Sequence, residues 1–326
     1  MLNADRQRHG LPAGVVERPD WTAACQQHVA YMDANDIWAD HGTDLGKPGA
    51  TPEGAWAGRN SVLGDRWEAS APGPEVLRDG AWTPEPFTVY LDAPIHRMQL
   101  LAPALAELGA FDRCQTTWPG YTRPTPAPQL FTVPGDRYGY MPYEERALEL
   151  PFVPGDFVGL PAGTTTGPHM FVMALGTARG HLASASLTGP EGPVEVRTVD
   201  NSTPDIGGYL PPGGVIIPVQ PLQPLSDYTA AATFVDRKGV SLSRTWSFRT
   251  DGVSSGIYVD ASSYGPRPIK VESESPAPVT LTVARSAGGP VTETRVLRPG
   301  DGWEPTVWGD LRVCAAQEER APYRAE

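Results

Sequence analysis

The chain has 326 residues and a formal net charge of −12, from 26 Lys and Arg against 38 Asp and Glu. That balance excludes a nucleic-acid footprint, which needs a basic face for phosphates, and argues against simple electrostatic docking on anionic lipid. No apolar run approaches the ~20 residues that span a bilayer, so no transmembrane segment is expected. Hydrophobic residues at 40% supply a core, and 35 Gly with 36 Pro favour turns and short strands over long helices.

The length allows two or three domains. Met1-Leu2-Asn3-Ala4-Asp5-Arg6 carries no apolar signal region, which fits a cytosolic protein or a chain whose signal has been trimmed. Three cysteines, Cys25, Cys114 and Cys314, cannot all pair within one chain and match no zinc spacing.

In chain order, Leu2 to His9 reads as a short helix stopped at Gly10. Asp20 reads as an N-cap. Trp21, Ala24, Cys25, His28, Val29 and Met32 then recur at helical spacing. His28 on that stripe is expected to be a packed, hydrogen-bonded core residue. Residues 35–64 form a glycine-rich loop long enough to be functional. Thr83-Pro84 predicts the start of a helix that buries Phe87, Tyr90 and Leu91 and ends at Pro94, leaving His96 and Arg97 past its terminus or in a kink. A further helical run is expected through Leu100, Leu101, Leu105 and Leu108, ending at Gly109. From Thr122 to Pro128 the chain is a stiff proline-rich linker.

Beyond the linker the signals are β. Phe171 to Leu175 and Val215 to Ile217 are short apolar runs, and Tyr228 to Phe234 and Trp246 to Phe248 alternate. Short strands between Gly and Pro turns predict a β-sandwich closing at Thr250-Asp251-Gly252. A small β module follows, with Val279, Leu281 and Val283 alternating before the turn Ala287-Gly288-Gly289-Pro290 and a return through Leu297.

The chemistry concentrates between His41 and Leu101. His41, Glu53, Arg59, Asn60, His96 and Arg97 stand among glycines and prolines rather than on an apolar stripe. Imidazole beside carboxylate suits metal binding or proton transfer; the competing reading is that these groups cap loops.

The first ~120 residues resemble the CAP superfamily of cysteine-rich secretory proteins, antigen 5 and plant pathogenesis-related proteins, in its bacterial SCP-like secreted branch. Leu2-Asn3, Arg6 and His9-Gly10-Leu11-Pro12 look like its opening helix, and Trp21 through His28 and Tyr31 like its next. His41 stands at the family's first site histidine. Gly58-Arg59-Asn60 stands where many members have Gly-Glu-Asn, and Ala93-Pro94-Ile95-His96-Arg97 with Leu100-Leu101 resembles Ser-Pro-Gly-His-Arg-x-Asn-Ile-Leu. Residues 128–252 resemble the Ig-like sandwich that often follows this branch, through Leu210 to Pro218 and Thr245 to Thr250.

The resemblance implies an α+β fold: a CAP-type α-β-α sandwich over 1–121, the linker over 122–128, an Ig-like β-sandwich over 129–252, a small all-β module over 253–316 and a charged tail over 317–326. In the family two histidines and two acids line a cleft that can hold a divalent metal, often zinc. Here His41 and His96 match the histidines, and Arg59 replaces the glutamate. An arginine cannot ligate a cation, so Glu53 is the remaining carboxylate for a His41, His96 and Glu53 metal site, and Arg59 is expected to pair with it. Asp44 and Asp92 are the proximal choices for the second acid. The later Gly-His-Tyr motif of the family is absent.

Export is typical of CAP domains and is where disulfides persist. It favours a bridge between Cys25 and Cys114, which share the domain, over Cys25 as a small buried hydrophobe. The implied function is an extracellular or cell-surface binding protein whose cleft takes a small-molecule, lipid or protein ligand, with no obligatory cofactor. The alternatives are a hydrolase using His41, His96 and Glu53, with Arg59 stabilising an oxyanion, and a non-catalytic surface scaffold or adhesin.

Overall fold

The computed structural model describes residues 2–67, 75–78, 81–84, 93–136, 139–140, 159–160, 166–223 and 226–250, and beyond them the strands 257–260, 270–273, 279–284, 291–297, 302–303 and 312–317. Helix and strand content is mixed, an α+β arrangement.

The N-terminal unit runs α1 (Leu2–Arg8), β1 (Val16–Glu17), α2 (Pro19–Ala34), α3 (Pro52–Arg59), β2 (Ser61–Trp67), β3 (Glu75–Arg78), β4 (Ala81–Pro84), α4 (Pro94–Leu101) and β5 (Glu107–Thr116). Strand β5 is central, parallel to β1 and antiparallel to β2. Val62 and Leu63 divide the core between them. Val62 packs with Leu100, Leu101 and Leu105, whereas Leu63 packs with Cys25, Val29 and Met32 of α2 and Ala57 of α3. Successive strand residues point to opposite faces, so the sheet lies between two helical layers. The layer carrying α2 is cross-linked to β5 by Cys25–Cys114, with Cα atoms 5.5 Å apart.

The second unit holds β6 (Gln129–Val133), β7 (Gly139–Tyr140), β8 (Met170–Leu175), β9 (Gly180–Gly189), β10 (Gly192–Val194), β11 (Val196–Asp200), β12 (Gly213–Pro218), β13 (Asp227–Asp236) and β14 (Ser241–Thr250). They form two sheets, ordered β10-β9-β13-β14-β7 and β11-β12-β8-β6. The sheets differ in their patterning. On β13 and β14 buried Tyr228, Ala230, Ala232, Phe234, Trp246 and Phe248 alternate with solvent-facing neighbours. Strands β8 and β12 are buried at every residue.

The reason is that the four-stranded sheet is covered twice. One face meets the five-stranded sheet; the other meets α4, and Leu2 of α1 joins the same core. Gln99 of α4 donates to the Tyr209 carbonyl at 2.7 Å, and the Arg97 guanidinium lies 5.9 Å from the Phe171 ring centre. A sheet buried on both faces reads as unbroken apolar runs, which accounts for Phe171 to Leu175 and Val215 to Ile217. The linker is docked as well, since the Arg123 guanidinium donates to the Leu105 carbonyl at 3.0 Å.

The C-terminal part contains β15 (Ile257–Asp260), β16 (Lys270–Ser273), β17 (Val279–Ala284), β18 (Val291–Leu297), β19 (Gly302–Trp303) and β20 (Arg312–Gln317) in two three-stranded sheets. Strand β17 pairs antiparallel with both β18 and β20.

Four local expectations are corrected. Helix α2 starts at Pro19 after Arg18, so Asp20 is in its first turn rather than at the cap. Thr83 and Pro84 end strand β4, which pairs with β3, and do not start a helix; Phe87, Tyr90 and Leu91 lie outside the described residues. Pro94 begins α4 instead of ending a helix, because a first-turn proline forgoes an N–H that has no partner there. The run through Leu105 and Leu108 is not helical. Pro103 biases Ala102 towards extended backbone, the helix stops at Leu101, and Gly109 lies on β5. There the glycine permits close packing, since a Cβ would come within 2.4 Å of the Trp21 carbonyl carbon.

Candidate functional site: two histidines on a strapped loop

The loop from Asn35 to Thr51 is held against α2 by side chains rather than by its own secondary structure. Asn35 donates to the carbonyls of Tyr31 and Pro48 at 2.7 and 2.9 Å. The Tyr31 hydroxyl accepts from the Asp44 N–H at 3.1 Å, and the Thr51 hydroxyl donates to Gln27 while capping α3 through the Gly54 N–H.

His28 is the main strut. Its Nε2 lies 2.9 Å from the Asp40 carbonyl oxygen. A carbonyl only accepts, so Nε2 carries the proton. In the neutral ring Nδ1 then accepts from the Thr43 hydroxyl at 3.3 Å. The ring is fully buried, its polar atoms are satisfied, and burial, first among the causes, holds its pKa below the usual value. This is the packed, hydrogen-bonded role expected of a histidine on the apolar stripe.

His41 follows at the tip. Its Nδ1 is 2.8 Å from the Gly58 carbonyl oxygen at the end of α3. The same logic places a proton on Nδ1, so that in the neutral form of this exposed ring the lone pair is on Nε2. His96 approaches from α4, in that helix's first turn, and is half-buried. Its pKa is pushed down to about 4, first by desolvation and second by the charge of His41. His41 also depresses His28. The three imidazoles therefore share one electrostatic neighbourhood, and His28 and His96 are held neutral at pH 7.

The other sequence-derived site residues are not brought to this point. Glu53 is exposed in the first turn of α3, and Arg59 is exposed at its other end. Six residues of helix separate them by roughly 9 Å along the axis. Arg59 forms no ion pair among the described residues, so the expected Arg59–Glu53 pair is not formed. Asn60 is a terminal cap: its amide donates to the Trp56 carbonyl at 2.8 Å. Arg97 is turned away from the histidines towards Phe171, because consecutive helical residues point about 100° apart. Asp44 caps its own turn through the Gly46 N–H at 2.9 Å, and Asp92 lies outside the described residues.

A family-type zinc would need His41, His96 and at least one acid converging. Among the described residues no three His, Cys, Asp or Glu side chains do so. The arrangement offers a His41 ring oriented by the Gly58 carbonyl, within electrostatic reach of a neutral His96. Sequence reasoning missed Gly58 and Thr43 as the groups that orient these rings; each lies within three residues of a residue it singled out, but neither carries a recognisable ligand side chain.

No curated protein matches the chain. Residues 1–121, which contain His28, His41, His96 and both bridged cysteines, match the model of CAP, the cysteine-rich secretory protein family, a match that supports a CAP domain over that stretch.

Proposed function

We propose that this is an exported binding protein in which the CAP cleft around His41 and His96 holds a small-molecule, lipid or protein ligand, and the following sheets form an Ig-like domain. The observation that carries the reading is the convergence of two imidazoles from separate elements, His41 with its Nε2 lone pair free of the Gly58 contact, without a described carboxylate beside them. Such a pair recognises hydrogen-bond donors. Catalysis of acyl transfer would need a nucleophile and an oriented base as well. The hydrolase alternative draws on Glu53, and Glu53 stands exposed on the first turn of α3.

Export is supported by the Cys25–Cys114 bridge, since buried structural disulfides persist in oxidising compartments. No helix among the described residues is long and apolar enough to cross a membrane. The test is titration of the full chain with palmitate, cholesterol and a neutral oligosaccharide, following the imidazole signals by NMR. One of these should shift His41 and His96 and lose affinity at least tenfold in His41→Ala. Turnover of p-nitrophenyl acetate that disappears in His96→Ala would replace binding with hydrolysis.

A further inference from the structure

We infer that the seam between the CAP unit and the β-sandwich carries a second site, separate from the histidine cleft, that takes a phosphate monoester borne on a flat or apolar ring. The observation is a cluster of cations in an acidic chain. Several described arginines hold a carboxylate, among them Arg18 with Asp20, Arg113 with Asp33, Arg244 with Asp136 and Arg249 with Asp227. Arg123, Arg179, Arg237 and Lys238 form no ion pair among the described residues, and they gather in one place.

The strands put them there. Gly180 faces Asp236 across the antiparallel β9–β13 pair, and one step further the Arg237 N–H donates to the Arg179 carbonyl at 3.1 Å. Arg179 and Arg237 therefore stand directly opposite each other, an arrangement that destabilises a ladder when both residues carry the same charge. Lys238 follows on the same turn. The Arg179 guanidinium reaches over to the CAP unit and lies 5.9 Å from the Trp118 ring centre, and Trp118 packs edge-on against Tyr121 at 5.3 Å. Thr125 of the linker crosses beside Gly176 of the β8–β9 turn, which brings Arg123 to the same seam.

The acid within the turn does not neutralise the cluster. Asp236 is buried; desolvation raises its carboxyl, but N–H groups of Val240, Ala178 and Lys238 outweigh this and hold it ionised below the usual range. Lys238 feels that charge, while Arg237 is exposed and Arg179 is half-buried with its guanidinium near Trp118. Two arginines on facing strand positions with a third and fourth cation suit a group carrying nearly two negative charges, as a phosphate monoester does at pH 7. They exceed what a single carboxylate needs, and guanidinium forks match phosphate oxygens in pairs. The half-buried Trp118 beside Arg179 supplies the face for the ring. Four cations are too small a footprint for a nucleic-acid duplex.

The experiment titrates the isotope-labelled full chain with phenyl phosphate, inorganic phosphate and acetate at constant ionic strength. Phenyl phosphate should shift the Trp118 indole and the amides at 177–180 and 236–239, and bind severalfold more tightly than inorganic phosphate and at least tenfold more tightly than acetate. The exposed pair substitution Arg237→Gln with Lys238→Gln should weaken phenyl phosphate tenfold or more, whereas Arg59→Gln, a remote exposed cation, should leave it within twofold. Acetate binding as tightly as phosphate, an equal loss in Arg59→Gln, or shifts confined to the His41 region would each overturn the site. Phenyl phosphate binding no tighter than inorganic phosphate would overturn the role of Trp118.

Discussion

A methyl group on Gly58 would sit 2.5 Å from Cε1 of His28. The absent side chain of α3 is the space in which the His28 ring stands, and the Gly58 carbonyl in turn orients His41. One residue thus sets the position of one histidine and the tautomer of another. Gly58→Ala is expected to lose about 1–3 kcal/mol by overpacking and to broaden the His41 imidazole signal as its acceptor moves. Urea unfolding and NMR of the variant check this; an unshifted midpoint with an unchanged His41 signal would refute it. In the double variant with His28→Ala the overpacking term should vanish, making the two losses less than additive.

Acid should weaken the fold through the buried rings. The folded pKa of His96 is about 4 and that of His9 about 2, both depressed first by desolvation. Between those values and the unfolded value near 6.5, the unfolded chain binds protons that the folded chain does not. Stability therefore rises with pH through this window and is lost as pH falls below about 6.5. His96 completes its share near pH 4, and His9, whose Nδ1 accepts from the Gly135 N–H at 3.3 Å, continues below it. Unfolding free energies measured from pH 7 down to 4 should fall, with a shallower slope in His96→Gln. A flat profile in the wild type would contradict the assignment.

Much of the N-terminal unit is legible in the sequence. The stripe Ala24, Cys25, His28, Val29, Met32 is the buried face of α2, and His96 lies within electrostatic reach of His41. What failed was local arbitration between periods. Thr83-Pro84 reads as a helix start, yet these residues end a strand paired with β3; the Asp79-Gly80 dipeptide between the two strands is the hairpin signal that reading leaves out. Leucines 100, 101, 105 and 108 look helical until Pro103 is given its weight. Arg59 was assigned a partner by analogy with a family glutamate, but helical spacing keeps it from Glu53, and no pattern in one sequence reports that distance.

The cross-link between α2 and β5 spans 89 residues of sequence. In the chain-entropy model such a loop stabilises the fold by roughly 4–5 kcal/mol. Both cysteines are fully buried, so reductant should act only on the unfolded chain. Unfolding in urea with reductant present is expected to move to markedly lower denaturant, and Cys114→Ala should reproduce the shift without reductant. Thiol counting on denatured, unreduced protein should find one of the three cysteines free; three free thiols would exclude the bridge.

The last prediction concerns the join between the units. Met98 of α4 is fully buried, and its Cε would lie 3.0 Å from a Cβ on Gly213 of β12. Gln99 holds the Tyr209 carbonyl, and Arg97 lies over Phe171. Helix α4 thus belongs to the CAP layer and to the cover of β8 and β12 at once. Arg6 fixes its far end: the guanidinium donates to the Leu100 and Ala102 carbonyls at 2.9 and 3.0 Å, satisfying acceptors that a helix C-terminus leaves open. Truncating Met98 to Ala should therefore cost about 2–5 kcal/mol and should be felt in both units. Hydrogen exchange should show β8 and β12 amides losing protection in step with α2, and unfolding followed at the CAP core and at Trp246 should stay a single coincident transition. If Met98→Ala lowers protection in α2 while β8 and β12 keep theirs, the two units do not share their stability through α4.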